Sequence, residues 1–190
     1  MTAHPGAERL PAIPAARQTP AQQQASAALI AGPRGQLRGP FIAMLRSPEL
    51  LERAQRLGEY LRYRSVVPHK LRELAILATS RHWRATYEWH AHAPIALAAG
   101  LTQPVIDALA EQRIPEGLAS DEQAVLEFCL ALHSEHAVGD ALYERLLRLL
   151  GEAGVVELCG ICGYYAMLAM MLNVARTALP AGATVPFDGP

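Results

Sequence analysis

The chain has 190 residues, 51% of them hydrophobic and 18% charged, with a formal net charge of -1. At roughly 100–200 residues per domain this allows one compact domain with a sizeable core, and it excludes a large multidomain machine and global disorder. The even charge balance, with no long block of like charges, argues against a phosphate backbone as the main partner, so no nucleic acid is expected.

There are 34 Ala and 27 Leu against 8 Ile and 9 Val, a balance that favours helix formers over β-branched strand formers. The expected fold class is all-α, a compact bundle of about seven helices. Three cysteines cannot close a disulfide set, and no charged segment followed by an apolar run opens the chain, so a reduced, cytoplasmic protein is expected. The most apolar window, 155–172, is interrupted by Glu157 and by glycines, which suits a buried helix better than a membrane span.

Residues 1–28 read as an arm: Pro5, Pro11, Pro14 and Pro20, a Gln22-Gln23-Gln24 run, much Ala and no aromatic residue. Residues 29–180 read as the helical domain and 181–190 as a tail. Gly32-Pro33, Gly35, Gly39-Pro40 and Ser47-Pro48 punctuate a loop, a short helix and a second loop. A helix is predicted over 49–62, with Leu50, Leu51, Ala54, Leu57 and Leu61 on one stripe. Pro68 then restarts the chain into a helix over 69–81, with Leu71, Leu74, Ala75 and Ala78 at helical spacing and Glu73 just off that stripe. Thr86 opens a helix running to about Ala99, closed by Gly100, with Pro94 inside it. Thr102 begins a short helix to about Gln112, and Ser120 with Gln123 predicts a capping box for one ending near His136. Asp140 caps 141–150, Gly151 ends it, and a last long helix runs over 155–178 to Leu179-Pro180.

Polar chemistry concentrates in Arg81-His82-Trp83-Arg84-Ala85-Thr86-Tyr87-Glu88-Trp89-His90-Ala91-His92. Glu88 and His92 stand at i and i+4, on one helical face, where a carboxylate orients an imidazole and raises its pKa. His90 lies about 200° round the helix from His92 and points elsewhere. Such a pair is often only a surface ion pair. Cys159-Gly160-Ile161-Cys162 is a C-x-x-C in the middle of an apolar helix, where Cys acts as a small hydrophobe; core packing is favoured over a redox role. His133 and His136, at i and i+3, lack the second motif that a bundle metal site draws on, so no metal is expected. Tyr164 and Tyr165 leave open which of them aims a hydroxyl into a pocket.

Leu71-Arg72-Glu73-Leu74-Ala75-Ile76, then Tyr87-Glu88-Trp89-His90-Ala91-His92-Ala93-Pro94, then Ala99-Gly100-Leu101 resemble the carboxymuconolactone decarboxylase family, whose fold is shared with alkylhydroperoxidase D. The similarity runs from Gly32-Pro33-Arg34-Gly35 and Gly39-Pro40-Phe41 to Leu179-Pro180. The peroxidase branch has Glu, eleven residues, Cys, two residues, Cys, three residues, His; from Glu73 that register falls on Ala85, Glu88 and His92. Both cysteines are missing, so neither a thiolate nor a resolving thiol is available there. The decarboxylase branch has a Glu followed four residues later by His, as Glu88 and His92 are.

The resemblance therefore implies a cofactor-free lyase, assembled as a homo-oligomer (dimer, trimer or hexamer), that acts on a small unsaturated lactone or carboxylic acid. In that reading His92 is the proton donor, Glu88 its orienting partner and Glu73 a second carboxylate. Arg81, Arg84, Tyr87, Trp89 and Tyr164 are the candidate substrate-binding residues. The alternatives are an alkylhydroperoxidase-like oxidoreductase using Cys159 and Cys162, and a non-catalytic metabolite-binding protein.

Overall fold

The computed structural model describes residues 7–190; the part of the expected arm at 1–6 lies outside them. All regular structure among the described residues is helical: a 3-10 turn, Ala15–Arg17, and eight α-helices. These are α1 (Pro20–Ala31), α2 (Pro40–Met44), α3 (Pro48–Tyr63), α4 (His69–His82), α5 (Thr86–Ala98), α6 (Gln103–Ala110), α7 (Ser120–Ser134) and α8 (Asp140–Ala175). The 3-10 turn and α1 are the elements that the composition of the N-terminal segment hides.

The arm therefore does not end at 28 as a separate appendage. Pro20 stands in the first turn of α1, where its missing N–H costs nothing. Thr19 Oγ1 accepts the Gln22 N–H at 3.3 Å, and the Gln22 side chain accepts the Thr19 N–H at 3.0 Å, closing a capping box. Ala25 and Leu29 of α1 are buried, and α1 packs on α3. The irregular stretch before α1 is tied down by side-chain donors, since the Arg46 guanidinium reaches the Pro11 carbonyl at 2.8 Å. The Arg9 N–H also reaches the Ala175 carbonyl, at 2.8 Å.

Helix α4 is the axis of the bundle. Every residue from Leu71 to Ser80 is buried, which no amphipathic stripe predicts; α5, α6, α7 and α8 all pack against it. Glu73 is thereby carried into the core although it stands off the predicted apolar stripe. In α7 the expected Ser120/Gln123 box is displaced by one residue: the Glu122 carboxylate accepts the Ala119 N–H at 2.8 Å and also holds Lys70 Nζ at 2.7 Å.

Gly151 breaks α8 as expected, with φ 69° and ψ 173°, into 140–150 and 152–175. That left-handed-side φ is one that residues with a Cβ adopt at a cost. The helix stops at Ala175, three residues earlier than expected, because Arg176 turns to φ 54° and the Thr177 N–H bonds back to the Leu172 carbonyl at 3.0 Å. Among the described residues α8 is the one helix long and apolar enough to cross a membrane, with a window of mean hydropathy 1.8, but half of that window is buried in the bundle. The C-terminal segment also departs from a free tail: Val185 and Phe187 pack on the core, and Phe187 meets Trp89 edge-on at 5.2 Å.

Helices α3 and α8 approach closely at Gly58, where an added Cβ would stand 2.0 Å from the Tyr164 hydroxyl oxygen and 2.5 Å from Arg34 Nη2. In an unencumbered helix Gly→Ala stabilises by about 0.5–1 kcal/mol. Here the overlap with a buried ring reverses the sign, and Gly58→Ala is expected to destabilise by about 1–3 kcal/mol. Equilibrium urea unfolding checks this as a lower midpoint at unchanged slope; a higher midpoint would show that Tyr164 moves aside freely.

Candidate active site

His92 is brought to the core by α5, Glu73 by α4, and Tyr165 by α8. His92 Nδ1 lies 2.7 Å from Glu73 Oε2, and Nε2 lies 3.3 Å from Glu88 Oε1. The Glu88 contact is the i,i+4 pair read from the sequence, while the shorter one joins residues nineteen apart on different helices. The side chains are nearly closed off from solvent, at 5% exposure for His92, 0% for Glu73 and 6% for Glu88.

Burial opposes a charge on the His92 ring, but hydrogen bonds to Glu73 and Glu88 and the attraction of both carboxylates outweigh it, so its pKa is raised. With Nδ1–H donated to Glu73, the ring keeps one orientation and presents Nε2 to Glu88. The two carboxylates around one imidazolium make a buried proton store. The second oxygen of Glu73, Oε1, has no hydrogen-bond partner; His69 Nε2, at 3.6 Å, is within ion-pair range but too far for a hydrogen bond.

Two tyrosines extend the site. The Tyr165 ring stands edge-on to His92 at 5.1 Å, and the Tyr164 ring stands perpendicular to Tyr165 at 5.3 Å. Burial pushes the Tyr164 hydroxyl up to about 12. Burial, reinforced by the charges on Glu88 and Glu73, pushes Tyr165 well above the ordinary phenol value. Both are neutral donors at physiological pH. Tyr165, not Tyr164, is the ring against His92, a distinction that a one-residue step of 100° about the helix decides.

The row continues outward to Arg34, whose Nη2 reaches the Tyr164 hydroxyl at 3.5 Å and whose guanidinium lies 4.6 Å over the Phe41 ring. Arg34 Nε is buried with no partner. Arg72, beside Glu73, is buried with one Nη on the Val67 carbonyl at 3.3 Å. Burial lowers its pKa while the Glu73 charge acts the other way. Sequence reading missed both arginines; the one local signal for Arg34 is the Gly32-Pro33-Arg34-Gly35 turn that presents it.

The remaining sequence candidates gather elsewhere. Arg81 Nε donates to the Ala110 carbonyl at 2.7 Å, Nη2 to Gln112 at 3.0 Å, and its guanidinium lies 4.5 Å over Phe187. Arg84 Nε donates to the Asp188 carbonyl at 3.2 Å. Trp89 is a core residue under Phe187. Arg81, Arg84 and Trp89 thus hold the C-terminal segment, and the two arginines line a cleft there with His82, Gln112, Phe187 and Asp188. Tyr87 is half-buried against Gly39, where an added Cβ would stand 2.6 Å from the Tyr87 ring. His90 is half-buried, as its place on the helix implies.

The C-x-x-C also separates. Cys159 is exposed and Cys162 buried, and Cys162 Sγ lies 3.6 Å from Cys129 Sγ on α7. His133 bonds to Thr79 at 2.9 Å and stacks on His82 at 4.9 Å. Among the described residues no group of three or more His, Cys, Asp or Glu side chains is arranged to hold a metal.

One solved structure is described as the alkylhydroperoxidase AhpD core of an uncharacterized peroxidase-related protein from Ralstonia eutropha JMP134. It superposes with a TM-score of 0.75 over 94% of this chain and 95% of that one, at 19% identity, so the fold is AhpD-like. Residues 48–131 match the profile of the Carboxymuconolactone decarboxylase family. The matched stretch contains Glu73, Glu88 and His92 and ends before Cys162, Tyr164 and Tyr165. No curated protein matches the sequence.

Because the folded pKa of His92 exceeds that of the unfolded chain, the stability this ring contributes is complete below the unfolded value of about 6.5 and is lost as pH rises through the higher folded one. Histidine NMR is expected to place the His92 titration above that value, and Glu73→Gln to lower it more than Glu88→Gln, following 2.7 Å against 3.3 Å. Equal or absent shifts in the two variants would contradict the asymmetry.

Proposed function

We propose that this protein is a lyase that removes carbon dioxide from a small unsaturated lactone acid, or moves a proton on such an acid, by acid-base chemistry at His92 without a cofactor. The observation that carries the reading is the buried imidazole held on both nitrogens by carboxylates, with a raised pKa. The match to the carboxymuconolactone decarboxylase family over 48–131 supports it.

In the decarboxylation the substrate C–COO⁻ bond breaks, its electron pair passes into the conjugated lactone carbonyl, and carbon dioxide leaves. The resulting carbanion takes a proton from His92 Nε2, and solvent returns one to the ring. Glu73 fixes the ring through Nδ1 and stabilises its charge. Glu88, at the longer distance, is the partner that yields Nε2 to the substrate, so Glu73 takes the orienting role that spacing alone assigns to Glu88. Neutral Tyr165 and Tyr164 flank the reacting end, and Arg34, which has no carboxylate partner among the described residues, suits a substrate carboxylate. The neutral donors and Arg34 supply the electrostatic stabilisation that a positioned acid alone does not.

The nearby fold is described as peroxidase-related, but Ala85 and Glu88 occupy the register positions of the peroxidase thiols, and Cys159 and Cys162 face different surroundings. These observations favour the lyase reading. A panel of unsaturated lactone acids, followed for carbon dioxide release and for carbon-bound deuterium uptake in heavy water, tests it. His92→Asn is expected to lower the rate about 10²–10⁴-fold with unchanged circular dichroism. A wild-type protein inert to the whole panel, or an unaffected variant, would overturn it.

The same reading includes a cytoplasmic location and self-association. In its support, Val156, Cys159, Gly163, Met167, Met170 and Val174 follow one another at three- and four-residue steps along α8 and form an apolar row, with Val156 70% and Val174 59% exposed. Light scattering after size-exclusion chromatography is expected to find an oligomer that Val156→Glu with Val174→Glu reduces in size. A monomeric wild type would remove this part of the proposal.

A further inference from the structure

The cysteine arrangement is unexplained by the acid-base site. Cys129 on α7 and Cys162 on α8 are each 0% exposed, yet their sulfurs face one another at 3.6 Å across the helix interface. A disulfide has an S–S bond of about 2.05 Å, so the two sulfurs must approach by about 1.5 Å to bond. The surroundings are polar on one side. Thr79 donates its hydroxyl proton to the Ala75 carbonyl at 2.8 Å, so its oxygen accepts Nε2–H of His133 at 2.9 Å. The His133 ring in turn stacks on His82.

The pair is electrostatically unequal. The contact between the sulfurs, in which either can donate, lowers Cys162 to about 6 against the effect of burial, and the nearby His133 adds to the fall. The same bond, with burial, raises Cys129 well above the ordinary thiol value. The direction of the two shifts favours Cys162 as the thiolate of the pair. His82, Ala78 beside Thr79, and Leu130 beside Cys129 line a cleft of about 200 Å³. Solvent thus reaches as far as the ring that stacks on His133, while the sulfurs themselves are closed off from it.

We propose that Cys129 and Cys162 are a peroxide-sensitive dithiol whose oxidation joins α7 to α8 by a reversible disulfide. The Cys162 thiolate attacks one oxygen of hydrogen peroxide and the O–O bond breaks. Cys162 becomes a sulfenic acid, and the departing hydroxide takes up a proton as water. The Cys129 sulfur then attacks the Cys162 sulfur, the S–O bond breaks, and the second hydroxide leaves as water with the Cys129 proton. Two electrons pass from the sulfurs to the peroxide, and two thiols and one peroxide become one disulfide and two waters. Tyr164 and Tyr165 stand two and three residues after Cys162 on α8, so the bond also fixes the part of α8 that lies against His92. Cys159, exposed and outside this contact, takes no part.

The experiment treats the full-length protein with hydrogen peroxide under native conditions, quenches free thiols with an alkylating agent, and maps peptides by mass spectrometry with and without a reductant. The expected result, in wild type and Cys159→Ser alike, is a Cys129–Cys162 peptide that vanishes on reduction, with a higher thermal midpoint for the oxidised protein. Cys129→Ser is expected to lose the crosslink and to leave Cys162 as the more readily oxidised thiol. Alkylated Cys129 and Cys162 in the peroxide-treated wild type would overturn the proposal, as would a bridge formed through Cys159. The wild-type map decides the matter even where a buried serine prevents folding.

Discussion

The structure depends on placing one carboxylate, Glu73, at zero exposure on the helix around which the bundle packs. An unpaired carboxylate there would cost several kcal/mol, on the order of the whole stability of a small domain. The cost is offset by the His92 imidazolium at 2.7 Å, and the pair in turn requires α5 to lie on α4 in one register. The same demand raises the proton affinity of the ring, so the interaction that orders two helices is also the one that readies a proton. A hydrophobic pair at these positions would pack as well and hold no proton.

Much of this was legible in the sequence for identifiable reasons. The excess of Ala and Leu announced helices, and Pro48, Pro68, Gly100 and Gly151 marked where they begin or end. Glu88 and His92 were visible because helical spacing alone makes them neighbours. What failed was inference from proximity along the chain. Arg81 and Arg84 stand a turn or two before Glu88, yet they turn to the C-terminal segment. Cys159 and Cys162 stand three apart, yet a helix places one outside and the other against Cys129, thirty-three residues away. Arg34 and Tyr165 needed the packing of α3 and α8 to be placed at all.

The N-terminal and C-terminal segments show the same limit from another side. Neither carries a periodic apolar pattern, and both nonetheless cover the core. Ile13 packs against it while Arg46 takes carbonyls from the preceding backbone, and Phe187 closes over Trp89 between that ring and the Arg81 guanidinium. A few anchors, each a side chain that satisfies backbone or ring, are enough to order segments whose composition suggests solvent. Such anchors are matters of three-dimensional position, and no window of sequence contains both partners.

The contact between the Arg9 N–H and the Ala175 carbonyl joins two segments that lie far apart in the sequence. Helix α8 also packs on α2, α3, α4 and α7, and Tyr165 is among the rings that enclose His92. On a ribosome, α1 to α7 emerge with the groove for 152–175 open and its apolar lining wet. Sealing that groove is a long-range event that waits for 152–175 to follow the other helices out. The pair of Glu73 and His92 is thus closed off from water only once α8, which follows both of their helices in the chain, has packed.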